Sequence, residues 1–163
     1  MKAKRKKEAE KDKHWHQENA VTNETVFAHA DDAAVDLQAN YESPFVAQLD
    51  PHKTLMVPTG ILISLPTGGL DFRWVMDIRP RSGLAKQQGV TVINSPGTID
   101  QGYRGEICVL LHNEGKDTAL ITAGMRVAQM LLSKAYRFHW VEVESFTESD
   151  TTRGSAGFGS TGT

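Results

Sequence analysis

The sequence predicts an all-β domain, a barrel or jelly roll of short strands with one short helix, and three observations carry this. From about Thr25 onward, short apolar and β-branched runs alternate with Pro, Gly, Asn and Asp, the texture of strands and turns. Eight or so such runs fall within about 120 residues, without the intervening helical patterns of a βαβ fold. The chain has 163 residues, 39% hydrophobic and 23% charged with a net charge of −2, which suits one ordinary globular domain.

In chain order the expected strands are Leu55–Val57, Gly60–Leu65, Phe72–Ile78, Val90–Asn94, Glu106–His112, Ala119–Ile121, Val127–Leu132 and Phe138–Val143. Turns separate them at Pro58-Thr59-Gly60, Pro66-Thr67-Gly68-Gly69, Ser95-Pro96-Gly97, Asn113-Glu114-Gly115 and Ala123-Gly124. Ser82–Gln88 alone reads as a helix, closed by Gly89. No internal repeat at a fixed period is visible.

Residues 1–24 form a basic, flexible arm in this reading, because residues 1–13 carry seven Lys or Arg against three acids. Helix formers dominate Ala3–Lys13, which allows a frayed helix, although it has no long apolar face to hold it. Such an arm could contact nucleic acid or protein, and a solvated tail has the same composition. The longest apolar run, Ile107–Leu111, is far short of the roughly 20 residues that a membrane-spanning helix needs. The single cysteine, Cys108, cannot form an internal disulfide, and no apolar leader follows the basic start. A soluble intracellular protein is therefore expected, in the cytoplasm or, in a eukaryote, the nucleus.

Five punctuated segments carry candidate chemistry. Asp31-Asp32-Ala33-Ala34-Val35-Asp36-Leu37 offers three carboxylates, equally suited to a solvated loop or a metal. Pro80-Arg81-Ser82-Gly83-Leu84-Ala85 places an Arg, a hydroxyl and a glycine at a helix start, which favours an anion; a capped surface helix reads the same. Thr98-Ile99-Asp100-Gln101-Gly102-Tyr103-Arg104-Gly105-Glu106 sets a carboxylate near an aromatic, or forms a plain β-turn. Gly124-Met125-Arg126-Val127-Ala128-Gln129 begins a strand with two polar side chains. The tail, with Arg153, Phe158 and Gly154, Gly157, Gly159 and Gly162 among hydroxyls, is a flexible terminus or a polyphosphate grip.

Taken together, and with the phrase Val57-Pro58-Thr59-Gly60, these segments resemble the trimeric dUTPase family, which hydrolyses dUTP to dUMP and pyrophosphate. The likeness runs from about Ala30 to Thr163, and motifs such as Pro-Arg-Ser-Gly-Leu-Ala and Gly-Phe-Gly-Ser-Thr-Gly give it specificity. It implies a distorted jelly-roll core over residues 25–146 and a glycine-rich lid over residues 147–163. It also implies a homotrimer with three shared active sites, limiting uracil incorporation into DNA and supplying dUMP for dTTP synthesis.

Residue by residue, the resemblance makes Asp36 the carboxylate that holds Mg²⁺ through bound waters. Arg81, Ser82 and Gly83 would bind the phosphates, with Ser82 at the α and β groups. In the third motif a β-hairpin would present main-chain groups near Asn94, Gly97, Thr98, Ile99 and Cys108 to uracil, with Tyr103 against the deoxyribose. Asp100 would be the catalytic base. Arg126, Gln129 and Arg153 would neutralise phosphate charge, Phe158 would stack on the base, and Gly159, Ser160 and Thr161 would add phosphate contacts.

Three motifs depart from the family pattern: the first at Ala34 and its neighbour Val35, the fourth at Met125 where an acid is usual, and the fifth at Ala156 in place of a glycine. His14 and His16 flank Trp15 and lack a third ligand, whereas His29, His52, His112 and His139 are scattered and read as structural. Cys108 reads as a small buried hydrophobe, and Trp74 and Trp140 as core or subunit interface. A dCTP deaminase of similar fold and a nucleotide-switched binding protein are the rival functions; the glycine-rich tail with Phe158 argues against the first.

Overall fold

A computed structural model describes residues 2–5, 29 and 31–145. The described residues form eleven strands: β1 (Lys2–Arg5), β2 (Val35–Gln38), β3 (Val46–Leu49), β4 (Thr54–Pro58), β5 (Ile61–Ser64), β6 (Phe72–Pro80), β7 (Val90–Val92), β8 (Gly97–Asp100), β9 (Cys108–Asn113), β10 (Ala119–Thr122) and β11 (Arg126–Tyr136). One helix, α1 (Ser82–Gln88), joins β6 to β7. The all-β expectation holds, and Ser82–Gln88 is the one helix among the described residues.

The strands pair antiparallel in four small sheets, ordered β2-β11-β6-β8, β4-β9-β7, β10-β3 and β1-β5. The spine is the β6–β11 ladder, nine residue pairs from Ala128↔Pro80 to Tyr136↔Phe72. Alternation sets the faces: in β2, Val35 and Leu37 point inward and Asp36 and Gln38 outward, and β10 buries Ala119 and Ile121 in the same way. Leu37, Leu49, Val57, Met76, Val90, Ile107, Val109, Leu111, Ile121 and Val127 meet in one core drawn from all the larger sheets. Its closest packing is aliphatic and β-branched, as strand propensity favours.

The β9–β10 turn is locked by Asn113, which is fully buried and fully bonded. Its amide nitrogen donates to the carbonyls of Leu49 and Asp117, each at 2.8 Å, and its side-chain oxygen accepts the Gly115 N–H at 2.8 Å. The C-terminal end of α1 packs on this turn. Gly89 closes the helix at φ 67°, and its carbonyl accepts the Glu114 N–H at 2.9 Å. A Cβ on Gly89 would lie 2.7 Å from the Gly115 nitrogen, in a backbone conformation that only glycine adopts at low cost. Gly89→Ala is expected to lower stability by about 1–3 kcal/mol, read from the shift in a urea unfolding midpoint.

Three differences from the sequence reading have physical causes. Lys2–Arg5, expected to lie in a flexible arm whose composition allowed a frayed helix over Ala3–Lys13, instead form β1 on β5, with Lys2↔Ser64 through Arg5↔Ile61 in register. The edge of β5 offers unpaired backbone groups, and a strand satisfies them where an isolated helix gains nothing. Strands β2, β3 and β8 were not expected, because Asp36 and Gln48 interrupt the first two and the third opens on Gly97, leaving no apolar run to mark them. Conversely, Phe138–Val143 forms no strand, and Phe138, Trp140 and Val141 are 69%, 89% and 80% exposed. Among the described residues its alternating apolar side chains find no surface to cover. Trp140 is thus no core residue, whereas Trp74 packs against the core and edge-on to Phe72. No helix among the described residues is long and apolar enough to cross a membrane.

Candidate functional site

The first, second and fourth motifs converge on one cleft of about 440 Å³, lined by His29, Asp32, Ala33, Ala34, Asp36, Arg81, Ser82, Gly83, Arg126 and Gln129. At its centre the Asp36 carboxylate is shared between two guanidinium groups. Arg81 Nε donates to Oδ1 at 2.8 Å and Arg126 Nη1 donates to Oδ2 at 3.1 Å. Arg81 also reaches the Arg126 carbonyl at 3.3 Å, closing the group on itself. Asp36 projects here because Val35 and Leu37 on either side of it point into the core.

Strand β11 delivers its two polar residues through an irregularity. Arg126 and Gln129 are three apart and would point to opposite faces of a regular strand. The register slips between Arg126, opposite Gln38, and Ala128, opposite Leu37, so one extra residue brings both onto the cleft side. Met125, the residue standing where an acid is usual, packs against the core, and its carbonyl accepts the Ala39 N–H at 2.8 Å. Arg126 is thus anchored from behind by packing and in front by Asp36. Gln129 is oriented by donating to the Pro80 carbonyl at 2.9 Å.

Ser82 and Gly83 are exposed at the start of α1, where no side-chain hydrogen bond caps the helix and no acid lies in the first turn. Two arginines, a hydroxyl and an amide around a carboxylate suit an anion with many acceptor oxygens, such as a phosphate chain. Each Asp36 oxygen accepts one N–H from arginine and keeps a second lone pair. Asp32 adds a second carboxylate, with Oδ2 accepting the His29 N–H at 2.9 Å. These are hard oxygen donors of the kind that hold a hydrated Mg²⁺ through its waters. Asp36→Asn leaves two guanidiniums without their shared counter-charge; stability is expected to fall by about 1–3 kcal/mol, measured by urea denaturation at low salt.

The third-motif residues lie elsewhere in the chain. Asn94 sits in the turn after β7, Gly97, Thr98, Ile99 and Asp100 make up β8, Tyr103 follows in a turn and Cys108 begins β9. The expected hairpin is not a two-stranded ladder, since β8 pairs with β6 while β9 lies between β4 and β7. Side chains and turns hold the connection instead. Tyr103 N–H donates to the Asp100 carbonyl at 3.0 Å, and its hydroxyl donates to the Glu106 carbonyl at 2.9 Å. Gln101 Oε1 accepts the N–H groups of Gly68 and Trp74 at 3.1 and 3.3 Å.

The Val57-Pro58-Thr59-Gly60 phrase braces the far end of this connection. Buried Thr59 donates its hydroxyl to the Ile107 carbonyl at 2.7 Å, and Glu106 accepts the Gly60 N–H at 2.7 Å. Sequence reasoning missed these supports, Gln101, Glu106 and Thr59, and did not place His29 in the cleft. Glutamine and threonine in loops carry no local signal of a partner 33 or 48 positions away.

Asp100 and the Asp36 cleft do not meet within one chain. Asp36 lies opposite Gln129, which in turn lies opposite Arg79, Asp100 lies opposite Val75, and the order β2-β11-β6-β8 separates their strands by three spacings. Four residues along and three strands across amount to roughly 20 Å over the sheet. Arg153, Phe158, Gly159, Ser160 and Thr161 lie outside the described residues.

A family model described as dUTPase matches residues 25–162. The chain is 46% identical over 136 residues to the deoxyuridine 5'-triphosphate nucleotidohydrolase of Gloeothece citriformis, covering 83% of this chain and 86% of that one. It is 51% identical over 130 residues to the enzyme of the same name from Rickettsia bellii, covering 80% and 81%. Among solved structures, the dUTPase of Staphylococcus bacteriophage 80alpha with dUpNHpp aligns with a TM-score of 0.65 at 24% identity, covering 83% and 89%. The dUTPase of phage phi11 of S. aureus, described with a structural Mg(II) ion, aligns with a TM-score of 0.61 at 20% identity, covering 74% and 88%.

Proposed function

The chain belongs to the dUTPase family and is a nucleotidohydrolase acting on dUTP, and on that premise we propose that it forms a homotrimer whose active sites are each completed by neighbouring subunits. The observation that carries this reading is the separation of Asp100 from the Asp36 cleft by roughly 20 Å, further than one α-phosphate can span. The exposed apolar segment Phe138–Val143 supports it, since a subunit interface would cover those side chains.

In each site the phosphate chain lies in the cleft of one subunit, against Arg81, Ser82, Gly83, Arg126 and Gln129. Asp36 would hold a hydrated Mg²⁺, and the ion would supply charge neutralisation on the triphosphate. The neighbour contributes the β8 region. Main-chain groups of Asn94, Gly97, Thr98, Ile99 and Cys108 read uracil, and Tyr103 lies against the deoxyribose where a 2′-hydroxyl would clash.

Asp100 takes a proton from the attacking water. The water oxygen bonds to the α-phosphorus as the bond from that phosphorus to the α–β bridging oxygen breaks, giving dUMP and pyrophosphate. Arg81 and Arg126 meet charge that spreads onto the phosphate oxygens, the kind of electrostatic help that phosphoryl transfer needs most. Arg153, Phe158, Gly159, Ser160 and Thr161 close over the nucleotide as a lid.

Within the arm over residues 1–24, Lys2–Arg5 are docked on β5 and the basic residues would contact nucleic acid or protein; the core covers residues 25–146, and the lid covers residues 147–163. Acting inside the cell as a soluble enzyme, the protein keeps uracil out of DNA and supplies dUMP. Pyrophosphate release in Mg²⁺ tests the reading directly, with dCTP, dTTP and UTP as controls. Release from dUTP alone is expected; ammonia release from dCTP, or dUTP binding without turnover, would overturn it.

A further inference from the structure

We propose that His52, His112 and Glu114 form a binding site for a divalent transition cation of the zinc class, which clasps the β3–β4 turn to the β9–β10 turn. A nitrogen of each histidine and an oxygen of Glu114 all lie within 4.8 Å of one another, and none of the three residues lines the Asp36 cleft. His112 Nε2 is already 3.4 Å from Glu114 Oε1. Zinc bound tetrahedrally by nitrogen and oxygen sets adjacent donor atoms roughly 3.4 Å apart, so this pair needs no movement to share an ion.

The second ring nitrogen of His112 is also engaged. His112 Nδ1 lies 2.9 Å from Thr54 Oγ1. With Nδ1–H donating to that hydroxyl, the Nε2 lone pair faces Glu114, the outer-sphere arrangement that fixes a ligating imidazole. The half-buried ring thus has one nitrogen tied back and the other open to the site.

The backbone that carries the ligands is rigid. His52 N–H donates to the Asn113 carbonyl at 2.8 Å, and Asn113 N–H donates to the Lys53 carbonyl at 3.1 Å. Asn113, between the two ligands His112 and Glu114, is the buried residue whose side chain makes three hydrogen bonds. His52 is also the one non-glycine among the described residues with positive φ, at 59°. That conformation is unusual for histidine and here turns the residue toward β9.

Two imidazoles and one carboxylate select zinc or a neighbouring first-row ion over Mg²⁺ or Ca²⁺, which prefer oxygen throughout. Water would take the fourth position. The ion would join the β3–β4 turn to the turn that packs on the end of α1, stiffening the edge of the core.

Zinc titration of the metal-free full-length protein by calorimetry, in saturating Mg²⁺, tests the site, with Co²⁺ absorption as a second readout. One tight equivalent per chain is expected, retained when His14 and His16 are both replaced by alanine. His52→Ala and Glu114→Gln should each weaken it at least about tenfold, and Thr54→Val, which keeps every ligand, by about 10–100-fold. Zinc should raise the melting temperature of the parent protein and not that of His52→Ala, while His52→Ala hydrolyses dUTP in Mg²⁺ at the parent rate. Absence of a tight equivalent, or one unaffected by His52→Ala and Glu114→Gln, would show a hydrogen-bonded surface pair only and overturn the assignment.

Discussion

Asp100→Asn is expected to slow pyrophosphate release from dUTP by about 10²–10⁴-fold while dUTP still binds. Asparagine keeps the shape of the side chain, and β8 is held by its backbone pairing with Val75–Ile78, so the turn to Tyr103 should survive. What is lost is the ability to accept a proton from water. The phosphate contacts stand on β2, α1 and β11, far from the change, and binding should be nearly intact. Single-turnover pyrophosphate release beside equilibrium binding of dUTP separates the two quantities. A variant that turns over at the parent rate would move the base to another carboxylate, with Asp32 and Asp36 in the cleft as the next candidates.

Much of this site was legible in the sequence because its motifs are local. Pro80–Ala85 contains a strand end, an arginine and a helix start in six consecutive residues, and the structure keeps them together. The helix Ser82–Gln88 and its Gly89 stop were also readable, since a left-handed closing glycine leaves a local signature. The pairing of Asp36 with Arg81 and Arg126 was not, because those partners are 45 and 90 positions away and only strand order brings them together. Gln129 and Arg126 illustrate the same limit at short range: their common face depends on a bulge that no pattern of side chains announces. Nor could the meeting of His52 with His112 be read, as it rests on two turns locked through Asn113. Phe138–Val143 fails as a strand for a different reason. Its alternation is real, but it describes a surface that the other described residues do not cover.

Mixing two inactive variants should restore activity. Arg81→Gln removes the guanidinium that bridges Asp36 and the Arg126 carbonyl, and so damages the phosphate half of a site. Asp100→Asn damages the catalytic half. If both halves came from one chain, every site in a mixed assembly would carry a defect, and no activity could return. With the halves supplied by neighbours, a site is intact whenever an Asp100→Asn chain gives its unaltered cleft and an Arg81→Gln chain gives its unaltered Asp100. Random assembly from equal amounts makes about a quarter of the sites intact, by the symmetry of a closed ring. Unfolding the two proteins together in urea and refolding them, with each refolded alone as control, makes the comparison. Recovery near a quarter of the parent rate from the mixture, against almost none from either variant alone, follows from the sheet geometry that keeps Asp36 and Asp100 roughly 20 Å apart. No recovery from a mixture that has reassembled would place both halves on the same chain and require the β8 region to move to its own cleft.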